Sequence, residues 1–320
     1  MKEAIAKVKG ALAAKDFGAA MNYYTFKDDF IYASDGNMTA ATPYAHGLDR
    51  LVPGAELEAL LARLPNDVTC MYDDASITMK GGRLRGTIKT QSTVDRVLLV
   101  PEHPWNEPPH GLVEAMRRAR PFIADVAAQP YATCMCFRKD ALFATTNMSL
   151  VQVQVPGLAP GDLDLLLPSW AVDFVLKAYG TLNGIIFTPN YMAFRWDDGS
   201  WLRTKLIEGA FPATVVTLLS NVEPEQPFEL GPGWRLAYAD VAALSEGIVG
   251  VEASRITGGK GHSKVEADVE PTGIEAPVHF NPRFLTAVID VATHWNPAEF
   301  PRPVPFVGPG LRGLVVGRRA

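Results

Sequence analysis

LLPSWAVDFVLKAY, at residues 166–179, follows the same pattern as LVPGAELEALLARL at 51–64 and HFNPRFLTAVIDVA at 279–292. In each stretch, apolar residues lead into a proline. The first turn of a helix tolerates proline, because the amide hydrogen that proline lacks has no partner there. Apolar residues then recur at helical spacing, which predicts an amphipathic helix in each stretch. The three prolines stand at nearly equal intervals, so we predict three copies of one structural unit.

A second repeat lies upstream of two of these helices. FKDDFIYASDGNMT at 26–39 matches FRKDALFATTNMS at 137–149 in its phenylalanine, its charged turn, its alanine and its Asn-Met-Thr/Ser end. A charged turn followed by an apolar run is typical of a β-hairpin. The third unit has no clear copy of this segment, so its membership depends on its helix and on the apolar end of the chain. Generic amphipathic patterning would explain one such helix, but it explains three at even spacing poorly.

Further elements complete each unit. Strand-like segments follow the three helices, at 68–90, 185–207 and 304–316. Another helix is predicted near the start of each unit, at 2–15, 111–127 and 233–246. The pattern predicts an α+β fold of three repeated domains, each with two helices packed on an antiparallel sheet.

The joins between units are marked by composition. The stretches 100–110 and 219–227 are rich in proline and polar residues, as connecting segments are. We therefore predict three domains, at 1–102, 103–219 and 220–320.

Composition excludes several classes of protein. Of the 320 residues, 48% are hydrophobic and 20% charged, which excludes a disordered chain. No apolar stretch approaches the roughly 18 residues that a membrane span needs, and MKEAIAKVKG at the N-terminus lacks the apolar core of a signal peptide. The three cysteines cannot form a disulfide framework, so we expect a soluble cytoplasmic protein with no membrane partner. The net charge of −5 argues against a basic nucleic-acid-binding domain, although it does not exclude a local basic strip.

No arrangement of residues typical of a catalytic site stands out. The segment 258–261 (GGKG) has Gly261 where a phosphate loop needs serine or threonine, so a hairpin turn is the better interpretation. The six histidines lack the spacing of a zinc site. Cys134 and Cys136 would point to one face of a strand, and we interpret them as small buried residues. We predict that the protein is not an enzyme and needs no metal or cofactor.

Several segments, taken in order, resemble one family. KLIEGAFP at 205–212 resembles the end of the second domain of the bacterial DNA polymerase III β sliding clamp, where a strand leads into an apolar-acidic-glycine turn and Phe-Pro. ATTNMSL at 144–150 and ASD at 33–35 stand where the family has Ala-Thr-Asp segments. HFNPRFL at 279–285 is similar to the family's Phe-Asn-x-x-Tyr-Leu helix start, and LVVGRRA at 314–320 is similar to its last strand and tail. The order and spacing of these segments over the whole chain carry the resemblance.

The resemblance implies a non-enzymatic processivity factor for DNA replication. Two three-domain protomers, head to tail, would form a homodimeric ring with helices on the inner wall and sheets outside. The ring would encircle double-stranded DNA without sequence preference. It would tether a replicative DNA polymerase and be placed on DNA by a clamp loader. The chain is shorter than typical cellular clamps, which suggests a divergent member such as a phage-encoded one.

Two alternatives stay open. The first is a clamp-fold interaction protein that binds clamp-motif peptides or replication proteins without closing a ring. The second is an enzyme with a dispersed site, against which the lack of clustered histidine, serine and acidic residues counts.

Sliding on DNA needs only a few sequence-independent phosphate contacts. On the predicted helix 111–127, Arg117 lies opposite an apolar side that includes Leu112 and Val126, and Arg118 flanks that side. The resemblance implies DNA contacts from inner helices, and the candidates are Lys2, Lys9, Arg63, Arg117, Arg118, Lys177, Arg235 and Arg283. The alternative for each is an ordinary solvated helix charge, since the same helices also carry acidic residues.

The resemblance also implies a peptide groove between the second and third domains, into which partner proteins insert a short apolar motif. The corresponding positions are Thr145, Asn147, Met148, Ser149, Leu150, Pro212, Val216, Val315, Val316 and Gly317. Small and apolar groups suit a short hydrophobic anchor. The pair Met148-Ser149 replaces the family's His-Arg, and Val216 replaces a common basic residue, so this groove is more apolar. The alternative is that these residues only fill a core.

Closing a ring requires an edge strand of the first domain to pair with one of the third. The segment 76–90 is the candidate edge, and its partner is expected within 248–270. Four cations would guard the edge against unspecific pairing: Lys80, Arg83, Arg85 and Lys89.

Overall fold

The computed structural model describes residues 1–15, 20–73, 75–93, 98–158, 160–161, 163–178, 180–220, 222–223 and 227–318. The chain forms two compact units. Unit 1 comprises Met1–Pro108 and Asp173–Leu206, and unit 2 comprises Pro109–Val172 and Ile207–Ala320. Each unit is therefore built from two separate stretches of chain.

Seven α-helices occur in the described residues, and none has the length and hydropathy to span a bilayer. They are α1 (Lys2–Val8), α2 (Gly54–Arg63), α3 (Leu112–Ala119), α4 (Ser169–Lys177), α5 (Ala213–Ser220), α6 (Pro232–Ala243) and α7 (Pro282–Val291). Short 3₁₀ turns occur at Lys9–Ala11, Arg120–Phe122, Pro130–Thr133 and Pro297–Glu299.

The strands of the first half of the chain are β1 (Tyr23–Lys27), β2 (Phe30–Ser34), β3 (Met38–Pro43), β4 (Arg50–Pro53), β5 (Thr69–Tyr72), β6 (Ser76–Gly81), β7 (Leu84–Lys89), β8 (Cys134–Arg138), β9 (Ala141–Thr145), β10 (Ser149–Gln154) and β11 (Leu165–Pro168). Those of the second half are β12 (Leu182–Phe187), β13 (Tyr191–Trp196), β14 (Trp201–Lys205), β15 (Phe228–Glu229), β16 (Val249–Val251), β17 (Arg255–Lys260), β18 (Ser263–Asp268), β19 (Val278–Phe280), β20 (His294–Trp295), β21 (Val304–Gly308) and β22 (Leu311–Val315).

Unit 1 contains two antiparallel sheets. Seven strands pair in the order β12-β13-β14-β3-β2-β1-β4, and three pair in the order β5-β6-β7. Helix α1 packs on β2 and β3, and helix α2 packs on β4 and β7. A Cβ at Gly86 of β7 would lie 2.6 Å from Leu60, so glycine lets helix α2 approach the sheet closely.

Unit 2 also contains two antiparallel sheets. Eight strands pair in the order β11-β8-β9-β10-β22-β21-β20-β15, and four pair in the order β18-β17-β16-β19. Helix α6 packs on β17 and β18, where a Cβ at Gly258 would lie 2.9 Å from Val241. Buried aromatic rings fill this unit; Trp234 lies 5.2 Å from Trp295 and 5.9 Å from Tyr238, centroid to centroid.

The predicted elements are confirmed in kind. Each of the three repeated stretches forms a short strand followed by a helix, and both predicted hairpins form. The GGKG segment ends β17 and leads into the β17–β18 turn, as predicted. Tyr179, Asp74 and the last two residues lie outside the described part of the chain, as does some of the join 219–227.

The predicted helices 2–15 and 111–127 are both too long; helix α1 ends at Val8, and a 3₁₀ turn at Lys9–Ala11 follows it. Helix α3 ends at Ala119, and a 3₁₀ turn with Pro121 follows, because proline cannot continue an α-helical hydrogen-bond ladder. Val126, predicted on the apolar side, is 90% exposed, whereas Leu112 and Met116 are buried as expected.

The fold class, helices packed on antiparallel sheets, is confirmed. Two sheets, however, continue across the predicted domain boundaries: β3 pairs with β14, and β10 pairs with β22. The division at 1–102, 103–219 and 220–320 stays a prediction, since the second predicted domain contributes strands to a sheet of each unit.

Candidate functional site

An apolar cluster lies under helix α5 in unit 2. Its fully buried members are Cys134, Cys136, Ala141, Phe143, Leu166, Phe211, Leu219 and Val222. Six half-buried side chains pack against them, and we name these the apolar groove: Tyr131, Leu150, Ile207, Val215, Val216 and Leu314. The groove thus has a fully buried apolar floor and an apolar surface that is partly open to solvent.

The pairing of β10 with β22 assembles this surface. Leu150 lies opposite Leu314, and Ser149 lies opposite Val315. Beyond the ladder, the amide of Val316 donates to the carbonyl of Met148 at 2.8 Å. Residues far apart in sequence thereby form one continuous strip of the sheet.

The turn before β10 has a defined shape. Asn147 adopts the left-handed conformation at φ 67°, which asparagine tolerates better than most residues. The hydroxyl of Thr145 accepts from the Asn147 amide at 2.9 Å and donates to the Ser149 carbonyl at 3.1 Å. These bonds hold Met148 at the tip, where it is 42% exposed beside the groove.

All ten predicted groove residues lie on β9, β10, β22, the segments that flank them, or the start of α5. Thr145, Ser149 and Val315 are buried, so they support the surface without lining it. Gly317 is a packing residue: a Cβ there would lie 2.6 Å from Val278 and 3.3 Å from Phe280. The exposed or half-buried members are Asn147, Met148, Leu150, Pro212, Val216 and Val316.

Sequence reasoning missed four members of the groove and its whole floor. Tyr131, Ile207, Val215 and Leu314 belong to the surface, and Phe211 and Leu219 belong to the floor. The signal for the helical part was the apolar run ATVVTLLS at 213–220, which forms helix α5.

The groove is electrically neutral. Burial raises the pKa of the Cys134 thiol to about 11 and also raises that of Cys136, so both stay protonated, as small buried residues do. Near the floor, Asp164 lies 3.5 Å from Arg138 and accepts from the Phe211 amide at 3.2 Å. The surface therefore suits uncharged apolar side chains.

The predicted DNA-contacting cations of unit 1 differ in whether other groups of the protein already bind them. Lys2 donates to the carbonyl of Leu64 and is half-buried. Lys9, Arg63 and Lys177 are exposed at helix ends, and within the described residues none of their side chains has a hydrogen bond or ion pair. These three cations are available to a ligand.

Most of the predicted DNA-contacting cations of unit 2 already have partners within the protein. Arg117 pairs with Glu114, and Arg283 lies 2.7 Å from Asp125. Arg118 is half-buried, and burial lowers its pKa. The guanidinium of Arg235 donates to carbonyls at the end of helix α7, so it caps that helix.

Two edge strands carry opposite charge. No strand within the described residues pairs with the outer edge of β7 or of β18. Ile88 and Gly86 face helix α2, so Arg85 and Lys89 of β7 face outward. On β18, Glu266 and Asp268 face outward with Arg255, at 3.4 and 3.3 Å from its guanidinium.

Comparison with solved structures finds the same fold along the whole chain. The Helicobacter pylori β clamp bound to a DNA ligase peptide has a TM-score of 0.80 at 14% identity, over 100% of this chain and 97% of that chain. The β subunit of DNA polymerase from Streptococcus pyogenes has a TM-score of 0.80 at 17% identity, over 99% and 97%. The Caulobacter crescentus pol III β has a TM-score of 0.78 at 18% identity, over 99% and 97%.

No family model and no curated protein sequence matches the chain. The structural likeness establishes the fold: this chain has the fold of the bacterial β sliding clamps, as the sequence resemblance implied.

Proposed function

We propose that the protein is a DNA polymerase processivity clamp. Two copies, head to tail, form a ring that encircles duplex DNA in the cytoplasm, without catalysing a reaction. The observation that carries this proposal is the extent of the likeness, which spans 97% or more of both chains. A protein that acts by its closed shape must keep every module of the ring.

The apolar groove is proposed to bind a short apolar segment of the replicative polymerase and of the clamp loader. Its half-buried surface joins a sheet strip to helix α5, and hydrophobic anchors bind well against such a packed apolar floor. The H. pylori clamp with this fold binds a DNA ligase peptide, which supports a peptide as the ligand.

Ring closure is proposed to pair β7 of one copy with β18 of the next. Both are free edges, and the outward cations of β7 would meet the outward carboxylates of β18. Opposite charges across neighbouring strands favour pairing with the correct partner.

The DNA contacts are proposed to come chiefly from Lys9, Arg63 and Lys177, whose charges are not engaged elsewhere. Lys2, Arg117, Arg118, Arg235 and Arg283 contribute less, because internal partners or burial compete for them.

Retention on circular DNA tests the proposal. The protein, a clamp loader and ATP are incubated with a nicked plasmid, and the plasmid is then washed in high salt. A clamp stays on the circle and leaves once the plasmid is cut, because linkage is topological. Loss from the circle in the wash, or equal retention on the cut plasmid, would contradict the proposal and favour the interaction protein that closes no ring.

A variant in the apolar groove tests binding of the polymerase independently of ring formation around DNA. Val216→Glu places a charge on the half-buried surface and is expected to weaken binding of polymerase-derived apolar peptides at least about tenfold, from the cost of desolvating the carboxylate. Leu236→Glu, on the exposed side of helix α6, is the matched control and should leave binding unchanged. Equal effects of the two variants would count against the groove.

A further inference from the structure

One face of the seven-stranded sheet in unit 1 carries a row of aromatic and basic side chains. The ladder places Tyr32 opposite Ala41, Ala41 opposite Trp201, and Trp201 opposite Arg195. Arg195 in turn lies opposite Gly184. These residues come from β2, β3, β14, β13 and β12, so the row crosses five neighbouring strands on one face.

Small residues let the rings of this row lie close together. Ala41 separates Tyr32 from Trp201, and their ring centroids are 6.0 Å apart. Phe30 extends the row along β2, 5.9 Å from Tyr32. Since alanine projects little beyond the backbone, the two large rings meet above it.

Trp105 completes the row at its other end. A Cβ at Gly184 would lie 3.0 Å from the Trp105 ring and 3.1 Å from Nε of Arg195, so glycine allows the indole to lie on the strand. The Arg195 guanidinium sits 5.0 Å from the centroid of the Trp105 ring. The amide of Asn106 bonds to the carbonyl of Ile185 at 2.9 Å, which anchors this segment to the sheet.

Basic residues surround the aromatic row. Arg203, two residues along β14 from Trp201, lies over the Tyr191 ring at 4.1 Å and donates to the carbonyl of Val100 at 2.8 Å, so its charge is engaged within the protein. Lys205 follows on the same face of β14, and Lys27 lies opposite Phe30 at the other side. Both lysines are exposed, and neither side chain has a hydrogen bond or ion pair within the described residues.

Acidic groups lie near this face as well. Glu102 lies 3.7 Å from Arg203 and is largely exposed, and Asp28 in the β1–β2 turn is close enough to Tyr32 to add to the rise in its phenol pKa that burial causes. Two further carboxylates in the adjoining turns are engaged within the protein: Asp29 accepts from the amides of His46 and Gly47, and Asp198 accepts from Lys7 and Ser200.

A half-buried aromatic row with flanking cations fits one kind of ligand. Unpaired bases stack on aromatic rings, and their phosphates are held by lysine and arginine. Duplex DNA already stacks its bases internally, so it offers nothing to Trp201. A proline-rich peptide would use the rings but would gain nothing from the cations.

We propose that this face of unit 1 binds single-stranded DNA, with bases stacked on Trp201 and phosphates held by Arg195, Lys205 and Lys27. The choice of DNA rather than RNA rests on the proposed function, since a clamp works beside an unpaired template strand. The site shares no residue with the apolar groove or with the helix cations.

The test is a fluorescence anisotropy titration of a fluorescein-labelled 20-nucleotide oligo-dT with the whole protein. Binding is expected to weaken with salt, and the duplex of equal length is expected to compete poorly. Trp201→Ala should weaken oligo-dT binding at least about fivefold, as loss of one base-stacking ring does. Lys205→Glu, on an exposed side chain that cannot affect folding strongly, should weaken it similarly.

Matched controls are Trp170→Ala and Lys139→Gln, which remove a similarly exposed indole and an exposed lysine in unit 2. Both should bind oligo-dT like the parent. Unchanged binding by Trp201→Ala and Lys205→Glu, equal competition by the duplex, or capture of a proline-rich peptide in place of oligo-dT would overturn the inference.

A short linear strand cannot be held topologically, so this test is independent of ring closure. A protein that is retained on circles and ignores oligo-dT overturns only this inference. A protein that binds oligo-dT through Trp201 and is lost from circles overturns only the clamp proposal.

Discussion

The guanidinium of Arg235 occupies the end of helix α7. It donates to the carbonyls of Ile289 and Ala292, and its Nε donates to the carbonyl of Leu230 at 2.9 Å. The last carbonyls of a helix have no partners within it and lie at the negative end of the helix dipole. An arginine there donates hydrogen bonds to the unpaired carbonyls and places a positive charge at the negative end of the dipole. Sequence alone does not distinguish this structural role from phosphate binding.

Arg235→Ala is therefore expected to lower the free energy of unfolding by about 2–3 kcal/mol, since it removes charge-assisted hydrogen bonds to buried carbonyls. Urea denaturation measures the loss. Arg283→Ala is the matched control, because its pair with Asp125 is exposed and should cost about 0.5 kcal/mol. Similar losses for the two variants would refute the capping role.

Asp198 gives unit 1 a pH-dependent contact. Burial tends to raise the pKa of its carboxyl, but hydrogen bonds from Lys7 at 2.8 Å and from the amide and hydroxyl of Ser200 outweigh burial and lower the pKa below its usual value. A carboxyl whose pKa is lower in the folded state stabilises that state above its unfolded pKa of about 3.9. The contribution is lost as the pH falls through the folded-state pKa.

Asp198→Asn should thus cost about 0.5 kcal/mol at pH 7, because the pair is partly exposed, and the difference from the parent should shrink below pH 4. Denaturation curves between pH 2.5 and 7 measure this. A difference that stays constant down to pH 2.5 would show that the carboxylate charge does not contribute.

The strands β7 and β18 each have an unpaired edge, and their outward side chains are of opposite charge: basic on β7 and acidic on β18. Edge strands pair readily with other chains, and charged side chains restrict which chains they accept. Lys264 and Arg255 already neutralise Glu266 in part within its own sheet. The proposed ring contact therefore depends on the cations of β7 competing for these carboxylates.

Arg85→Glu is expected to shift the protein from dimer to monomer, because like charges would meet across the contact. The double variant Arg85→Glu with Glu266→Arg should recover the dimer at least in part. Size-exclusion chromatography with light scattering, over a range of concentrations, measures both. Lys139→Glu, away from either edge, controls for net charge, and a dimer that withstands Arg85→Glu would place the contact elsewhere.

Few of the predicted DNA-contacting helix cations are both exposed and without an internal partner in the described part of the chain. Lys9, Arg63 and Lys177 are unengaged within the described residues, whereas Arg117 and Arg283 have acidic partners. A protein that slides needs weak, sequence-independent contacts, and its hold on DNA comes from closure around the duplex. A net charge of −5 is compatible with this use of a few cations.

Replacing Arg63 and Lys177 by alanine should lower the dependence of duplex affinity on salt. Each lost phosphate contact reduces the slope of log affinity against log salt by about 0.9, so the pair removes about 1.8 per protomer. Anisotropy with a labelled 40-base-pair duplex at several salt concentrations measures the slope. Arg117→Ala is the control, and an equal effect of that variant would contradict the assignment.

Much of the fold was predictable because local patterns report which face of an element is buried. The prolines and apolar spacing of 51–64 and 279–292 predicted helices that form, and the repeat at 26–39 and 137–149 predicted hairpins that form. Val126 was misplaced because Pro121 ends the helix earlier than its apolar periodicity indicates. Within the groove, Leu150 and Val216 were identified from the resemblance, whereas no local sequence pattern assigns Tyr131 and Ile207 to it.

Local sequence was enough to predict the α+β class, the helices and hairpins of the repeated stretches, and the apolar character of the segments that form the groove, because periodicity and composition act over a few neighbouring residues. Folding of the whole chain was needed to pair β10 with β22, to place Arg235 at a helix end while Arg63 stays exposed, and to bring Trp201 beside Tyr32 and Arg195 on one face. Strand edges and charged groups take partners that are distant along the chain, and no local pattern specifies which partner is near.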